Sequence, residues 1–483
     1  MRQMKTPILA LGLAAALQAQ SGDEARARPN VLMISVDDLN DWVGVLGGHP
    51  QARTPNIDRL AARGVLFANA HCQAPVCAPS RASLATGRLP STTGMYFLTP
   101  ALAAEPSLRE TRTLTQRFAA EGYETLGVGK LHHGNEKPFF QDYGGGMGGF
   151  GPLPDEKLVY PLEPRLWDWG PHPATDAEMP DTRVADWAIA QLEQEHDEPF
   201  FLAVGFYRPH VPMYAPARWF DLHPIDQVQL PPILDDDRLD LPEYAKRLTI
   251  GHPAPRHEWF VEHDQWHAAV QSYLATSSFV DACVGRVLDA LDQSPHADDT
   301  IVVLFSDHGF HLGEKQRWAK RSLWERSTHV PLIVSAPGLA AGRCAQPVGL
   351  VDLYPTLIGL CGLAPEPDLD GHSLEPLLDA PENASWPNAA VTTFGPGNHA
   401  VRTARFRYIR YANGSEELYD HATDRHEWHN LLAQPGAPDD EMAATLAELR
   451  RFVPDVNAPL RKGVEASSGF KAFEDAEMYR RGR

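Results

Sequence analysis

The chain reads as an α/β protein: a large N-terminal domain on a mostly parallel central sheet flanked by helices, then a small C-terminal α+β domain with an antiparallel sheet. Three observations predict this. Apolar strand-like runs alternate with amphipathic helical segments from residue 30 to about 340, the pattern of parallel strands joined by crossover helices. The 483 residues, 43% hydrophobic, are enough to bury a large core. Asp370-Gly371 and the proline-bounded run Pro381–Pro387 then break the pattern, and shorter β-rich segments follow. The expected boundaries are residues 28–375 for the large domain and 385–483 for the small one.

Val31–Val36 reads as the first strand. A helix follows over Pro55–Arg63, with Thr54 as cap, Pro55 at the first position, apolar Ile57, Leu60 and Ala61, and Gly64 as the stop. A second helix runs from about Ser80 to Ala85 and ends near Gly87; Thr125–Val128 is a short apolar stretch. Helices over Thr182 to about Glu195 and Gln265–Leu291 alternate with strands Phe200–Val204, Ile301–Phe305 and Pro331–Val334. In the small domain, Ala389–Thr393, Ala400–Arg402 and Arg407–Tyr411 read as strands. Leu418-Tyr419-Asp420 reads as a turn, Asp439–Phe452 as a helix, and the polar tail after Asn457 as an exposed end.

Residues 1–19 have the form of a secretory signal peptide: Arg2 and Lys5, an apolar run Ile8–Leu17, and a small-residue site ending at Ala19. The run is shorter than the roughly 20 residues that span a bilayer. An exported protein, periplasmic or extracellular and without a stable membrane anchor, is expected. The formal net charge of −20 excludes nucleic-acid binding through a global basic field. An anionic ligand would need a locally positive pocket, for which Arg81, Lys130, Arg208, Arg317, Lys320 and Arg321 are candidates. The five cysteines, Cys72, Cys77, Cys283, Cys344 and Cys361, match no disulfide framework and form no pair of pairs at zinc-site spacing.

Asp37-Asp38 follows the first strand and Asp307-His308 follows Ile301–Phe305, so both motifs fall at carboxyl ends of strands, where open α/β sheets bind ligands. Hard carboxylate oxygens with one imidazole suit calcium, or less well magnesium, better than zinc. The alternative use of each aspartate is as a cap on the following segment. Cys77 falls just before a predicted helix start, at the positive end of the dipole, with Arg81 one turn on. Gly129-Lys130-Leu131-His132-His133-Gly134 and Phe206-Tyr207-Arg208-Pro209-His210-Val211-Pro212 each follow a strand and carry titratable side chains suited to proton transfer.

Cys77-Ala78-Pro79-Ser80-Arg81, with these segments and Asp307-His308-Gly309 continuing through Leu312-Gly313-Glu314 to Trp318-Ala319-Lys320-Arg321, resembles the sulfatase family and, more narrowly, its iduronate-2-sulfatase-like branch. The resemblance spans most of residues 29–372. It implies an alkaline-phosphatase-like fold, oxidation of Cys77 to formylglycine by a separate maturation enzyme, a bound calcium ion, and hydrolysis of sulfate esters on carbohydrates, uronate 2-O-sulfate being one option. Asp37, Asp38, Asp307, His308 and modified Cys77 would be the metal ligands. Arg81, Lys130, His132 or His133, His210 and Lys320 would line the sulfate pocket. The spacing common in the family favours His132 and the iduronate-type spacing His133. The loops 144–172 and 224–263 match nothing that fixes the sugar. A phosphate or phosphonate ester hydrolase of the same superfamily and a non-catalytic binder of sulfated sugars are the alternatives; oligomeric state is left open.

Overall fold

The computed structural model describes residues 28–105, 111–250, 254–433 and 439–480, so the expected signal segment lies outside the described residues. Its main sheet has eight strands: β1 (Asn30–Asp37), β2 (Val65–Phe67), β3 (Glu124–Gly129), β4 (Asp142–Tyr143), β5 (Phe200–Pro209), β6 (Thr300–Ser306), β7 (Leu332–Ser335) and β8 (Gly342–Cys344). They lie in the order β8-β2-β7-β6-β1-β5-β3-β4. All neighbours pair in parallel except along β7, which runs antiparallel to both β6 and β2.

β1 is central and buried along its whole length, which is why its sequence is a continuous apolar run and not an alternation. Its side chains nevertheless divide by parity. Val31 and Met33 join Phe201, Ala203, Val303 and Phe305 in the core on one face. Leu32, Ile34 and Val36 join Leu202, Val204, Val302 and Leu304 on the other. On the first face lie α1's successor α2 (Cys77–Thr86) and, later in the chain, Leu353–Leu360; on the second lie α1 (Pro55–Ala61), α3 (Pro180–Leu192) and the long α5 (Trp266–Gln293), α4 being Glu243–Ile250. Two layers of helices over one sheet are what the sequence pattern predicts. Thr54 does not cap α1 through its side chain; its hydroxyl instead accepts from the Gly44 amide at 2.8 Å.

The C-terminal domain is a four-stranded antiparallel meander, β9 (Ala390–Thr393), β10 (His399–Arg402), β11 (Phe406–Arg410) and β12 (Glu416–Asp420). Leu418-Tyr419-Asp420 thus belongs to a strand and not to a turn; Leu418 and Tyr419 face opposite cores, which an edge strand of this sheet requires. One face carries Val401, Tyr408 and Leu418 against Leu446 and Leu449 of the following helix, Asp440–Arg450. The other packs Ala400, Ile409 and Tyr419 on Val76, Leu323 and Trp324, directly beside Cys77 and the Lys320-Arg321 turn. The tail is not an exposed end either. Residues Ser468–Arg480 form a helix whose Phe473 and Ala476 are buried with Phe97 and Tyr244, and Tyr244 donates to Glu477 at 2.8 Å. Its few apolar residues recur at helical spacing inside a polar sequence, too sparse a stripe to read by eye. Among the described residues no helix is long and apolar enough to cross a membrane.

Candidate active site

The functional side chains converge at the carboxyl ends of β1, β3, β5 and β6. Strand geometry would send Asp37 and Asp38 to opposite faces, but the pairing with β5 slips between Val36 and Asp37, and Asp38 takes a left-handed φ of 66°. Aspartate tolerates that conformation, and both carboxylates end in one buried cluster. Ser306 and Tyr273 hold this turn: the Ser306 hydroxyl accepts from the Leu39 amide at 3.0 Å, and the Tyr273 hydroxyl donates to the Asp38 carbonyl at 2.7 Å.

Lys130 enters through a close crossing of two glycines. A Cβ on Gly129 would lie 2.0 Å from the Gly205 carbonyl oxygen, and one on Gly205 would lie 2.0 Å from that of Lys130. With neither present, the Lys130 amide donates to Gly205 at 2.9 Å and its ammonium reaches Asp37 at 2.5 Å. Lys320 reaches Asp38 in the same way, at 2.6 and 2.9 Å to its two oxygens. Arg81 donates to Asp307 at 2.8 Å and to the Lys130 and Leu131 carbonyls at 2.6 and 3.1 Å, and lies 3.5 Å from Asp37.

Cys77 is the first residue of α2, with extended Val76 before it. The sequence pattern predicts the helix start three residues later, at about Ser80. Cys77 is buried, 2% exposed; Val76 before it packs on the C-terminal domain, and Phe150, Leu166 and Trp167 of the 144–172 loop line the cavity beside it. His308 Nε2 is 3.1 Å from its sulfur, and His308 Nδ1 is 3.2 Å from Asp38. All five cysteines are buried and free.

Ligand atoms of Asp37, Asp38, Cys77 and His308 lie within 4.8 Å of one another, a grouping able to hold a metal ion. Asp307 stands at its edge, accepting from the Asp38 amide at 3.2 Å while paired with Arg81. The electrostatics fit a cation here. Burial drives the Asp38 carboxyl up to about 7 in spite of Lys320 and His308, a deficit that a further positive charge would correct. At Asp37 burial also opposes ionisation, but Lys130, His210 and Arg81 hold it well below the ordinary range. The carboxylates are hard donors of the kind calcium and magnesium prefer; the soft sulfur of Cys77 is the one mismatch, and an oxygen in its place would remove it.

Beside the cluster is a cavity of about 190 Å³. Cys77, His133, His210, Lys320 and Arg321 form its polar side, and Phe150, Leu166, Trp167 and Phe310 its apolar wall. His210 follows β5; its Nδ1 is 2.5 Å from the Val211 carbonyl, so Nδ1 carries the proton and Nε2 faces the site, 3.7 Å from Asp38. Burial keeps this imidazole well below its ordinary value, and burial with the Lys130 charge brings His133 to about 4.

The two adjacent histidines part company here. His133, at a φ of 64°, turns into the cavity. His132 does not line it: Nδ1 is 2.7 Å from Glu136 and its ring packs 4.4 Å from Phe139. Two of the basic candidates are likewise not pocket cations. Arg208 does not line the cavity; its Nε and Nη2 donate to the Tyr214, Phe150 and Gly151 carbonyls, tying the 144–172 loop to the end of β5. Arg317 donates to the Lys320 and Arg321 carbonyls at 2.5 and 3.2 Å, behind the site. Sequence reasoning missed the wall residues Phe150, Leu166 and Trp167; they sit in a loop with no periodicity to place them.

The family model for sulfatases matches residues 29–363, and that for the N-sulphoglucosamine sulphohydrolase C-terminal region matches residues 313–451. A sulfatase of Formosa agariphila is 40% identical over 449 residues, covering 89% of this chain and 87% of that one. Iduronate 2-sulfatase of Homo sapiens is 33% identical over 409 residues, covering 74% and 72%. Among solved structures, a 2-O GAG sulfatase is similar in fold, with a TM-score of 0.69 over 94% of both chains at 24% identity.

Proposed function

The chain belongs to the sulfatase family and is an enzyme that hydrolyses sulfate esters, and from that premise we propose that it acts on sulfated carbohydrate, uronate 2-O-sulfates among them, through formylglycine at residue 77 and a bound calcium ion. The observation that carries this reading is the enclosed grouping of Cys77 with Asp37, Asp38 and His308, flanked by two lysines and a cavity-facing histidine on either side. Relatives named for iduronate 2-sulfate and for Δ4,5-hexuronate 2-O-sulfate support the choice of sugar. Residues 28–375 form the catalytic domain and 385–483 the small one in this reading, after an exported leader at 1–19.

Oxidised to formylglycine and hydrated, residue 77 would supply the hydroxyl that attacks sulfur, while calcium held by Asp37, Asp38, Asp307 and His308 would withdraw charge from the sulfate. The side chains of this chain do the rest. The Lys130 and Lys320 ammonium groups, already turned inward by Asp37 and Asp38, take up charge on the non-bridging oxygens. His210 takes up a proton at Nε2 when the anionic ester enters beside it, and gives that proton to the departing alcohol, whose alkoxide is otherwise a poor leaving group. His133 removes a proton at residue 77 when the sulfate is released. Arg81 touches no substrate; it fixes Asp307 and the turn that carries Lys130. The buried start of α2 directs free amides at the same anion. Turnover of 4-nitrophenyl sulfate against bis(4-nitrophenyl) phosphate tests the reading: a strong preference for the sulfate is expected, and preference for the phosphate diester would overturn it.

A further inference from the structure

Lys320 is followed in the cavity by a second cation that the sulfate chemistry does not require. Ala319 and Arg321 both adopt left-handed backbone conformations, with φ of 69° and 71°. Such values are costly for residues with a Cβ and persist only where the surroundings impose them. Here they turn two successive side chains, Lys320 and Arg321, into the same cavity, where an extended chain would send them to opposite sides. The turn is pinned from both directions: the Arg321 amide donates to the Pro75 carbonyl at 3.0 Å, and the Arg317 guanidinium donates to the carbonyls of Lys320 and Arg321.

This prop is itself a half-buried cation. Among the described residues Arg317 forms no ion pair, and burial together with the charges of Arg238 and Arg321 brings it down to about 9. Arg317 thus holds the turn through its backbone and leaves the Lys320 and Arg321 side chains on the cavity side, beside Cys77 and His210.

We propose that Arg321, held in place by Arg317, is a specificity-determining residue that receives a second anionic group of the substrate, a carboxylate or another sulfate on the same sugar ring. This rests on the reading of the Cys77 site as the place where the sulfate ester is cleaved. Arg321 is within electrostatic reach of Cys77 and Asp38, and the aromatic wall of Trp167 and Phe310, whose rings are tilted 33° to each other, bounds the space a sugar ring would occupy between them. A guanidinium suits this role because its planar fork pairs with carboxylate and sulfate oxygens in bidentate fashion.

The test uses three probes that differ only at carbon 6: methyl glucoside 2-sulfate, methyl glucuronide 2-sulfate and methyl glucoside 2,6-disulfate. Their affinities are measured by calorimetry on Cys77→Ala protein, which binds without turnover, with Arg321 intact, as Arg321→Met and as Arg321→Lys. At least one dianionic probe should bind about ten- to hundred-fold more tightly than the neutral-C6 sugar. Arg321→Met should reduce that preference to about two-fold or less, and Arg321→Lys should restore part of it. The probe that gains identifies the second anion as carboxylate or sulfate. Equal affinities for all three on the parent, including no binding by any, overturn the proposal, as does an Arg321→Met variant that weakens all three by one factor. Turnover of 4-nitrophenyl sulfate by protein with residue 77 intact tests the underlying sulfate-ester reading separately, since that substrate has no second anion.

Discussion

Replacing His133 with glutamine should lower kcat by about a hundred- to ten-thousand-fold, while the same change at His132 should leave kcat within about ten-fold of the parent. The contrast is worked from geometry. His133 lines the cavity with Cys77, so its loss removes a proton acceptor from the reacting group. His132 makes one side-chain bond, 2.7 Å to Glu136, and packs on Phe139. Without its ring, Glu136 still accepts from the residue 132 amide at 2.9 and 3.0 Å and is not left stranded. The loss is then about 1–3 kcal/mol of stability, one buried charge-assisted bond and some packing. The assay is kcat and KM for 4-nitrophenyl sulfate beside a thermal melt of each variant. An inactive but stable His132→Gln variant, or a His133→Gln variant near the parental rate, would refute the assignment.

Cys77→Ala should abolish turnover and leave the melt close to the parent, because the substitution removes one buried sulfur without stranding a charge; activity above a few per cent of the parent would count against the mechanism. Asp307→Ala leaves the Arg81 guanidinium buried without its 2.8 Å partner and should cost about 3–5 kcal/mol along with bound calcium, read by melting and by metal analysis. Unchanged metal stoichiometry would remove Asp307 from the ligand set. Gly205→Ala drives a Cβ to 2.0 Å from the Lys130 carbonyl and should lose about 3 kcal/mol or more, with activity falling as Lys130 is displaced; a parental melt would show that the crossing relaxes freely. Chelation should lower both the melt and the rate, with calcium restoring them better than magnesium.

Much of this was legible in the sequence because buried parallel strands write themselves as unbroken apolar runs, and β1, β5 and β6 did so. The acidic and histidine-bearing motifs follow directly on those strands, which placed them together before any coordinates. What could not be read is set by backbone geometry at single residues. The left-handed turns at Asp38, His133 and Arg321 decide which way each side chain points, and none is glycine. His132 and His133 are chemically identical in the sequence; only the Glu136 carboxylate, four residues on, separates them. Arg208 and Arg317 look like pocket cations because a charge in a sequence does not reveal whether it will meet an anion or a backbone carbonyl. The strand Glu416–Asp420 and the tail helix were missed because their apolar residues face cores supplied by distant segments.

The central claim is that residue 77 becomes a nucleophile by oxidation of its cysteine. Tryptic cleavage releases residues 64–81 as a peptide that also carries Cys72, so the measurement is tandem mass spectrometry of that peptide from protein made in its native host. The account predicts a loss equal to the difference between cysteine and formylglycine, with fragment ions placing it on residue 77 and an intact thiol on residue 72. An unmodified Cys77 in protein that turns over a sulfate ester would contradict it.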